Sequence, residues 1–248
     1  MAITTVGTPG LSSVIRATDW RVATVAAIAP ETPRAATLTL DVPGWDGHRA
    51  GQHLDVRLTA EDGYRAQRSY SIASAPEDGR PMITVEELFD GEVSPWFVQV
   101  AREGDEFEVR GPFGGWFVWD AGDIEPIMLI AGGSGLVPLM SMLRHRRNVG
   151  AETPAKLLVS AREADDVLYA RELERIGATV VLTYTRRAPR NWTGYTRRVD
   201  RAMLQEVALL GGRTYICGPT TFVETVANQL VALGEAPAKI RTERFGGG

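Results

Sequence analysis

The chain has 248 residues, a length that fits one large domain or two smaller ones. Its hydrophobic share of 44% and charged share of 23% are ordinary for a soluble globular protein, and a net charge of −4 gives no support for nucleic-acid binding. Cys217 is the only cysteine, which excludes a disulfide within the chain and a four-thiolate iron–sulfur cluster, so an iron–sulfur partner would be a separate protein. The sequence has no metal-binding pattern, long apolar run or export signal, and we expect a cytoplasmic protein.

Residues 1–13 have the composition of a flexible lead-in, and short β-like segments follow them. One helix is predicted at 94–101, with Ser94 as its N-cap and Pro95 at its first position. Short strands at this spacing predict an antiparallel β-barrel domain over residues 14–120. The candidate strands, separated by turn-forming residues, are 22–28, 36–42, 53–58, 69–73, 82–87 and 106–110.

Strands and helices alternate in the rest of the chain, after a linker at 120–126 that is rich in Asp, Gly and Glu. This alternation predicts an α/β domain over residues 121–248, built on a doubly wound parallel sheet. The predicted strands are 127–131, 156–161, 179–185, 213–217 and 239–243, and the predicted helices are 137–147, 165–176 and 220–233.

A glycine-rich turn, Gly132-Gly133-Ser134-Gly135, joins a buried strand to a helix. Glycines let a phosphate approach the backbone closely, and the N-terminus of a helix favours an anion. The pattern departs from the usual G-x-G-x-x-G of dinucleotide sites because Pro138 stands in the place of the third glycine. The alternative interpretation is a tight strand-to-helix turn without a ligand.

Two further motifs are candidates for ligand binding. Cys217-Gly218-Pro219 follows a predicted strand at the sheet edge where open parallel sheets bind their ligands. Arg68-Ser69-Tyr70-Ser71 lies on a barrel strand, where the arginine can grip a phosphate and the tyrosine can stack on a flat ring. Taken singly, Cys217 is more commonly a small buried residue, and Arg68 and Tyr70 are better explained as a surface cation and a core ring.

In this order, the motifs resemble those of the ferredoxin–NADP⁺ reductase family of flavoproteins. The resemblance implies an N-terminal barrel that carries FAD and a C-terminal domain that carries NADP(H) or NAD(H). Arg68 resembles the arginine that holds the flavin pyrophosphate, Tyr70 the ring that packs on the isoalloxazine, and Ser71 the hydroxyl near flavin N5. Gly91-Glu92-Val93-Ser94 is similar to the family's second flavin motif. The flavin-site residues implied in this way are Arg68, Ser69, Tyr70, Ser71, Val85, Glu86, Gly91, Val93, Ser94 and Phe245. Glu86 and Glu87 stand where a basic residue is common in the family.

The resemblance also implies roles in the second domain. The turn from Gly132 to Gly135, with Pro138, resembles the pyridine-nucleotide loop, and Cys217-Gly218-Pro219 resembles the segment beside the nicotinamide. The segment Thr242-Glu243-Arg244-Phe245-Gly246 is similar to the family's ending, where an acid and an aromatic ring approach the flavin. Ser71, Cys217 and Glu243 are therefore expected to shape the hydride-transfer site, without an obligatory general acid among them.

The nucleotide preference is predicted from residues that follow two strands of the second domain. Ser160 and Arg162 stand at the position where members of the family contact the adenosine ribose, and Arg186 follows the next strand. Arginine suits a 2′-phosphate, whereas an ordinary NAD site more often has Asp or Glu, so we expect NADP(H) rather than NAD(H). In the arginine-rich segment 186–201, some arginines are candidates for the 2′-phosphate, and the others are interpreted either as a docking surface for an acidic electron carrier or as a solvated loop.

The expected activity is hydride transfer from NAD(P)H to FAD, followed by release of single electrons to a ferredoxin or flavodoxin. One alternative is the reductase component of an oxygenase or of another redox enzyme. A second is an NAD(P)H:flavin or ferric-siderophore reductase, and a third is a flavin-binding redox subunit or sensor without turnover.

Overall fold

The computed structural model describes residues 16–245, which form two domains. The first domain has one antiparallel sheet in the order β4-β3-β6-β1-β2-β5. Its edge strands, β4 and β5, meet at one end, because Ile72 bridges Ile83 and the Ala73 N–H donates to the Met82 carbonyl at 2.7 Å. The sheet therefore curls into the predicted barrel. Its strands are β1 (Arg21–Thr32), β2 (Ala35–Asp41), β3 (His53–Thr59), β4 (Arg65–Ser71), β5 (Met82–Glu86) and β6 (Glu106–Phe113).

The barrel core follows from the alternation of apolar and polar residues along its strands. On β6, Phe107 and Val109 point inward and are buried, whereas Glu106 and Glu108 lie on the outer face. Phe107 packs edge to face on Phe97, with ring centroids 4.9 Å apart. A single strand register thus buries one face of the sheet and leaves the other to water.

The second domain has a five-stranded sheet in the order β11-β10-β7-β8-β9, with all neighbouring strands parallel. Helices α1 and α2 cover one face of the sheet, and α3 and α4 cover the other. The strand order reverses between β7 and β10, which is where doubly wound sheets bind ligands. The elements are β7 (Ile127–Gly132), α1 (Leu136–Asn148), β8 (Ala155–Glu163), α2 (Ala170–Leu173), β9 (Thr179–Arg187), α3 (Arg201–Val207), β10 (Arg213–Pro219), α4 (Thr220–Ala232) and β11 (Ile240–Phe245).

Two local predictions are wrong. The helix expected at 165–176 is reduced to a 3₁₀ turn at Ala164–Asp166 and the short α2, because Tyr169 has a left-handed backbone with φ 53° that interrupts helical geometry. Ser94 does not cap a helix: its hydroxyl accepts from the Leu88 N–H at 3.0 Å. The segment that follows Ser94 contains a π-helix at Trp96–Val100. The predicted lead-in at 1–13 and Gly246 lie outside the described residues.

The two domains share a polar and apolar interface. From α1, Arg144 donates to the Ala73 carbonyl at 2.7 Å and Ser141 to the Ser74 carbonyl at 2.6 Å. Phe117 and Trp119 of the first domain belong to the same buried cluster as the apolar face of α1. This interface holds α1 against the chain segment that directly follows β4. Among the helices of residues 16–245, none has both the length and the apolar composition of a membrane-spanning segment.

Candidate functional site

A cavity of about 980 Å³ lies between the two domains. It is lined from the barrel side by β4, by the end of β5 and by the loop after β5, and from the other side by the ends of β7, β8, β9 and β10. Its size and its position at the reversal of strand order suit a cofactor and a second ligand together. Of the residues singled out in the sequence, those that line it are Arg68, Ser69, Tyr70, Ser71, Glu86, Gly91, Val93, Ser94, Gly132, Gly133, Ser134, Ser160, Arg162, Arg186, Pro219 and Phe245.

The glycine turn allows unusually close backbone contact between β7 and β10. A β-carbon added at Gly135 would lie 2.1 Å from the Cys217 carbonyl oxygen, and one at Gly218 would lie 3.2 Å from the Gly132 Cα. A β-carbon at Gly132 would meet the ring of Phe222 at 2.8 Å. A side chain at any of these positions would force its neighbours to move, and Gly132 and Gly133 line the cavity with backbone alone. The turn is therefore a cradle of the kind that phosphates occupy.

The strand β4 presents the arginine and tyrosine to the cavity. Arg68 is exposed, donates to the Gln67 carbonyl at 2.7 Å and contacts Glu92 at 3.4 Å. Tyr70 packs edge to face on Phe97 at 5.8 Å, and burial raises the pKa of its hydroxyl, which stays neutral. An exposed guanidinium next to a fixed aromatic ring can hold a diphosphate and a flat ring system side by side.

Asp55 supports this strand from behind. The hydroxyl of Ser69 donates to Asp55 at 2.6 Å, and Arg110 donates to the same carboxylate from Nε at 3.0 Å and from Nη2 at 2.9 Å. Asp55 is 8% exposed, so its charge is neutralised within the barrel by Arg110. These contacts fix the register of β4 beside the cavity.

Ser71, Cys217 and Glu243 come together although they are distant in sequence. Cys217 and Glu243 are paired across β10 and β11. Burial raises the pKa of Glu243 to about 7, and a hydrogen bond with Ser71 partly offsets this rise. Burial and the nearby Glu243 raise the pKa of the Cys217 thiol well above its usual value, so the thiol is neutral. The group combines one hydroxyl and one neutral thiol with a carboxyl whose pKa of about 7 lies near neutral pH.

Six of the singled-out residues do not line the cavity. Pro138 is buried in α1 and Val85 in the barrel core, so each shapes the wall through packing. Cys217 is 1% exposed. The six are Val85, Gly135, Pro138, Cys217, Gly218 and Glu243.

Arg34 lines the cavity and was not identified from the sequence. It donates to Asp166 of the second domain at 3.0 Å and lies 3.9 Å from Glu86. Its neighbour Ala35 pairs with Glu86 across β2 and β5, which brings this cation to the position where Glu86 replaces a basic residue. No local sequence pattern predicts that Arg34 lines the cavity, because its position depends on the pairing of two strands that are distant in sequence.

Other lining residues were also missed. Thr84 and Phe222 belong to regular elements and read as ordinary strand and helix residues in the sequence. Arg198 was not missed, because it belongs to the arginine-rich segment 186–201 that the sequence analysis named. It lies in the loop before α3 and joins Arg162 and Arg186 on the cavity wall. Within residues 16–245, these three arginines have no ion-pair partner, which leaves their charge for an anionic ligand.

The residues present fit a flavin and a pyridine nucleotide. The barrel side offers a guanidinium and an aromatic ring, and the other side offers two glycine turns at adjoining strand ends. Bound FAD would supply the chemistry of accepting two electrons together and releasing them singly. The chain would hold the diphosphate with Arg68 and the flat ring with Tyr70, and would place the nucleotide on the Gly132–Gly135 turn.

Comparison with known proteins gives two family matches. Residues 23–118 match the family described as "Oxidoreductase FAD-binding domain", and residues 129–228 match "Oxidoreductase NAD-binding domain". Among curated relatives, the glycine betaine monooxygenase reductase subunit of Chromohalobacter salexigens is 31% identical over 208 residues, covering 80% of this chain. The chain spans 56% of the length of that relative.

Two solved structures share the fold. The flavohem-like FAD/NAD binding domain of nitric oxide dioxygenase from Vibrio cholerae superposes with a TM-score of 0.81 at 24% identity, covering 92% of this chain and 99% of that one. A ferredoxin NADP⁺ reductase from Neisseria gonorrhoeae with bound FAD and NADP superposes with a TM-score of 0.78 at 20% identity, covering 91% and 98%. With its FAD-binding barrel and its NAD-binding parallel sheet, the chain belongs to the ferredoxin–NADP⁺ reductase family of flavoprotein oxidoreductases.

Proposed function

We propose that this protein transfers a hydride from NADPH to FAD and then passes single electrons to a ferredoxin or flavodoxin. The observation that carries the proposal is the shared cavity, in which the Arg68–Ser71 strand faces both glycine turns. A hydride donor on one wall and an acceptor on the other would meet beside Ser71 and Pro219, with Cys217 and Glu243 behind them. Holding the two rings in contact supplies much of the catalysis.

The one-electron output is tested with an anaerobic assay in which NADPH and FAD-loaded protein reduce an added ferredoxin. If the arginine-rich segment 186–201 docks an acidic carrier, the rate falls steeply as salt rises, because screening weakens attraction between exposed charges. A rate that does not change between low and high salt would contradict docking by charge. If NADPH reduces the flavin but no ferredoxin is reduced, the proposed transfer of single electrons to ferredoxin is contradicted.

Preference for NADPH is proposed to depend on the three cavity arginines, Arg162, Arg186 and Arg198. They have no ion-pair partner among the described residues, whereas Arg187 is bound to Glu163. Arg162→Gln and Arg198→Gln are each expected to raise the KM for NADPH about tenfold, with little change for NADH. Arg187→Gln, a matched change outside the cavity, is the control. Equal effects of Arg162→Gln on both nucleotides would contradict the assignment.

A second candidate is the reductase component of an oxygenase. It is favoured by the similarity to the glycine betaine monooxygenase reductase subunit, which is longer than the region matched here. The two candidates differ in the acceptor, and both require the same hydride transfer. A panel of acceptors, with ferredoxins and oxygenase components measured separately, distinguishes them. The cytoplasmic location stays a prediction from the sequence.

A further inference from the structure

A chain of hydrogen-bonded hydroxyl groups runs from the cavity to the barrel surface. Thr84 lines the cavity, and its Oγ1 lies 2.7 Å from the Oγ1 of Thr37. Thr37 donates to the carboxylate of Glu31 at 2.7 Å. Thr84 and Thr37 are buried, at 4% and 7% exposure, whereas Glu31 reaches the partly exposed rim of the barrel. A continuous path of polar groups through a buried layer is unusual, because each group must be satisfied there.

The direction of the hydrogen bonds in this chain follows from counting hydrogens. Thr37 has one hydroxyl hydrogen, and it is given to Glu31. Thr84 must therefore donate its own hydrogen to Thr37, although the distance alone would allow either direction. Tyr169 of the second domain donates to Thr84 from the side. Every hydrogen in the chain points from the cavity toward Glu31, and one lone pair of Thr84 accepts no hydrogen bond from residues 16–245.

The cavity end of the chain lies beside the reaction region. The bridge between Ile72 and Ile83 sets Ser71 opposite Thr84 across the end of β4 and β5, and both residues line the cavity. In antiparallel strands, opposite residues point to the same face. Thr84 is therefore a neighbour of the serine that faces the expected hydride acceptor.

We propose that Thr84, Thr37 and Glu31 form an exit path for a proton released in the cavity during each cycle. The inference rests on the proposed function. A hydride brings two electrons and one proton, and when the two electrons leave singly to a one-electron acceptor the proton remains. The balance is one NADPH and two oxidised carriers giving one NADP⁺, two reduced carriers and one proton. The proton enters the free lone pair of Thr84, the Thr84 hydrogen moves to Thr37, the Thr37 hydrogen moves to Glu31, and Glu31 releases it to water.

Tyr169 is a branch of this path and not a member of it. Its hydrogen points into Thr84, so no proton can leave the cavity through it without reversing that bond. Burial raises the pKa of the Tyr169 hydroxyl, which keeps it a neutral donor. Thr84 therefore donates to Thr37 but accepts from Tyr169. If the network carries a proton, the loss of Thr37 and the loss of Tyr169 have different effects on proton release; if it is purely structural, they do not.

The test compares electron departure with proton appearance in one stopped-flow experiment. FAD-loaded protein is reduced with one equivalent of NADPH and mixed with a one-electron chemical oxidant in weak buffer. Flavin absorbance reports the electrons, and a pH-indicator dye reports the proton. In the wild type the two signals coincide. Thr37→Val keeps the shape of the side chain and removes the middle link, and it is expected to delay the dye signal at least fivefold.

Two variants serve as controls. Thr39→Val is the matched change two residues along β2, where the side chain makes no hydrogen bond within residues 16–245, and Tyr169→Phe removes the branch. Both are expected to release the proton with the electrons. A dye signal that stays coincident in Thr37→Val, or a delay of equal size in Tyr169→Phe, would overturn the path. Failure of NADPH to reduce the flavin at all would overturn the proposed function instead.

A second measurement needs neither cofactor nor turnover. In the apoprotein, NMR should detect slowly exchanging hydroxyl hydrogens of Thr37 and Thr84, because both are buried and bonded. Thr37→Val is expected to remove the first resonance and to leave the second exchanging faster. Rapid exchange of both hydroxyls in the wild type would contradict the chain itself. FAD affinity within twofold of wild type in Thr37→Val then shows that the cavity is intact.

Discussion

Cys217 is a neutral thiol at the end of β10, behind the cavity and in contact with Glu243 through strand pairing. A thiol that is buried and protonated is neither a nucleophile nor a general acid at neutral pH. Its proposed role is to support the position of the nicotinamide. Cys217→Ser keeps the size of the side chain but shortens its reach and adds a stronger hydrogen-bond donor.

We expect Cys217→Ser to slow hydride transfer about tenfold without abolishing it, equivalent to about 1.4 kcal/mol of transition-state stabilisation. The measurement is the rate of flavin bleaching by NADPH under single-turnover conditions. FAD affinity should be unchanged, because Cys217 does not line the barrel wall. A wild-type rate would contradict the role.

Glu243 makes stability depend on pH. Its pKa rises from the usual 4.5 to about 7 on folding, mainly because of burial. The folded state therefore binds the Glu243 proton more tightly than the unfolded state does. The stabilising contribution of protonated Glu243 is complete below about pH 4.5 and is lost as pH rises through 7. Relative to Glu243→Gln, whose side chain does not titrate, the wild type should lose up to about 3 kcal/mol of stability between pH 5 and 8.

The check is thermal unfolding of the wild type and of Glu243→Gln, measured at several pH values across this window. The difference between the two melting temperatures should shrink or change sign as pH rises. Parallel curves for the two proteins would show that Glu243 does not titrate near neutral pH.

At the scale of the element, the turn between β7 and α1 sets how closely β7 and β10 approach. Gly135→Ala would place a methyl group 2.1 Å from the Cys217 carbonyl, so β10 must move away. We expect a loss of about 1–3 kcal/mol of stability and at least a tenfold weaker affinity for NADPH. Gly115→Ala is the matched control, because no atom lies within 4 Å of its added β-carbon.

Calorimetric titration with NADPH and thermal unfolding measure both effects. If Gly135→Ala binds NADPH as tightly as Gly115→Ala does, the turn does not form the nucleotide cradle.

Periodicity and turn chemistry predicted most of the elements. The buried strand at 127–131 and the helix after it lie almost where they were expected, because a continuous apolar run followed by glycines leaves few other structures. The helix expected at 165–176 failed at Tyr169. Its left-handed backbone is maintained by tertiary contacts, with its hydroxyl on Thr84 and its ring under Arg144 at 4.6 Å. Helix propensities describe local sequence only, so they cannot predict an interruption that depends on these tertiary contacts.

The parts of the candidate site that are built from local motifs were predictable from the sequence. The parts that depend on the pairing of strands distant in sequence were not. The Arg68–Ser71 strand and the glycine turn were visible in the sequence, and both line the cavity. Arg34 and Thr84 were not, because the pairing of β2 with β5 brings them to the cavity. The meeting of Ser71 with Glu243 was inferred only from the resemblance to a family.

At the scale of the whole molecule, the relative position of the two domains decides whether hydride donor and acceptor meet. Arg144 of α1 donates to the Ala73 carbonyl at 2.7 Å, immediately after β4, and to Glu172 through Nε at 3.0 Å. It is 9% exposed, so its loss leaves the Ala73 carbonyl without this donor and removes one of the two cations that contact Glu172. Arg147, on the same helix, contacts the same Glu172 from an exposed position at 3.4 Å.

Arg144→Met is expected to cost about 3 kcal/mol of stability, because it removes the hydrogen bonds of a buried guanidinium to the Ala73 carbonyl and to the half-buried Glu172. It is also expected to make the linker at 120–126 more sensitive to protease. Arg147→Met should cost less than about 0.5 kcal/mol, because exposed ion pairs contribute little. Chemical denaturation measures the stability of both variants, and limited proteolysis measures the sensitivity of the linker. Equal stabilities for the two variants would show that Arg144 does not hold the domains together.

The most direct test of the central claim, that the two walls of the cavity hold a flavin and NADPH, is an anaerobic visible-absorption titration of the FAD-loaded protein. NADPH should bleach the oxidised-flavin spectrum at a much lower concentration than NADH does. A yellow protein that neither nucleotide bleaches would leave a flavin-binding barrel but contradict hydride transfer across the cavity.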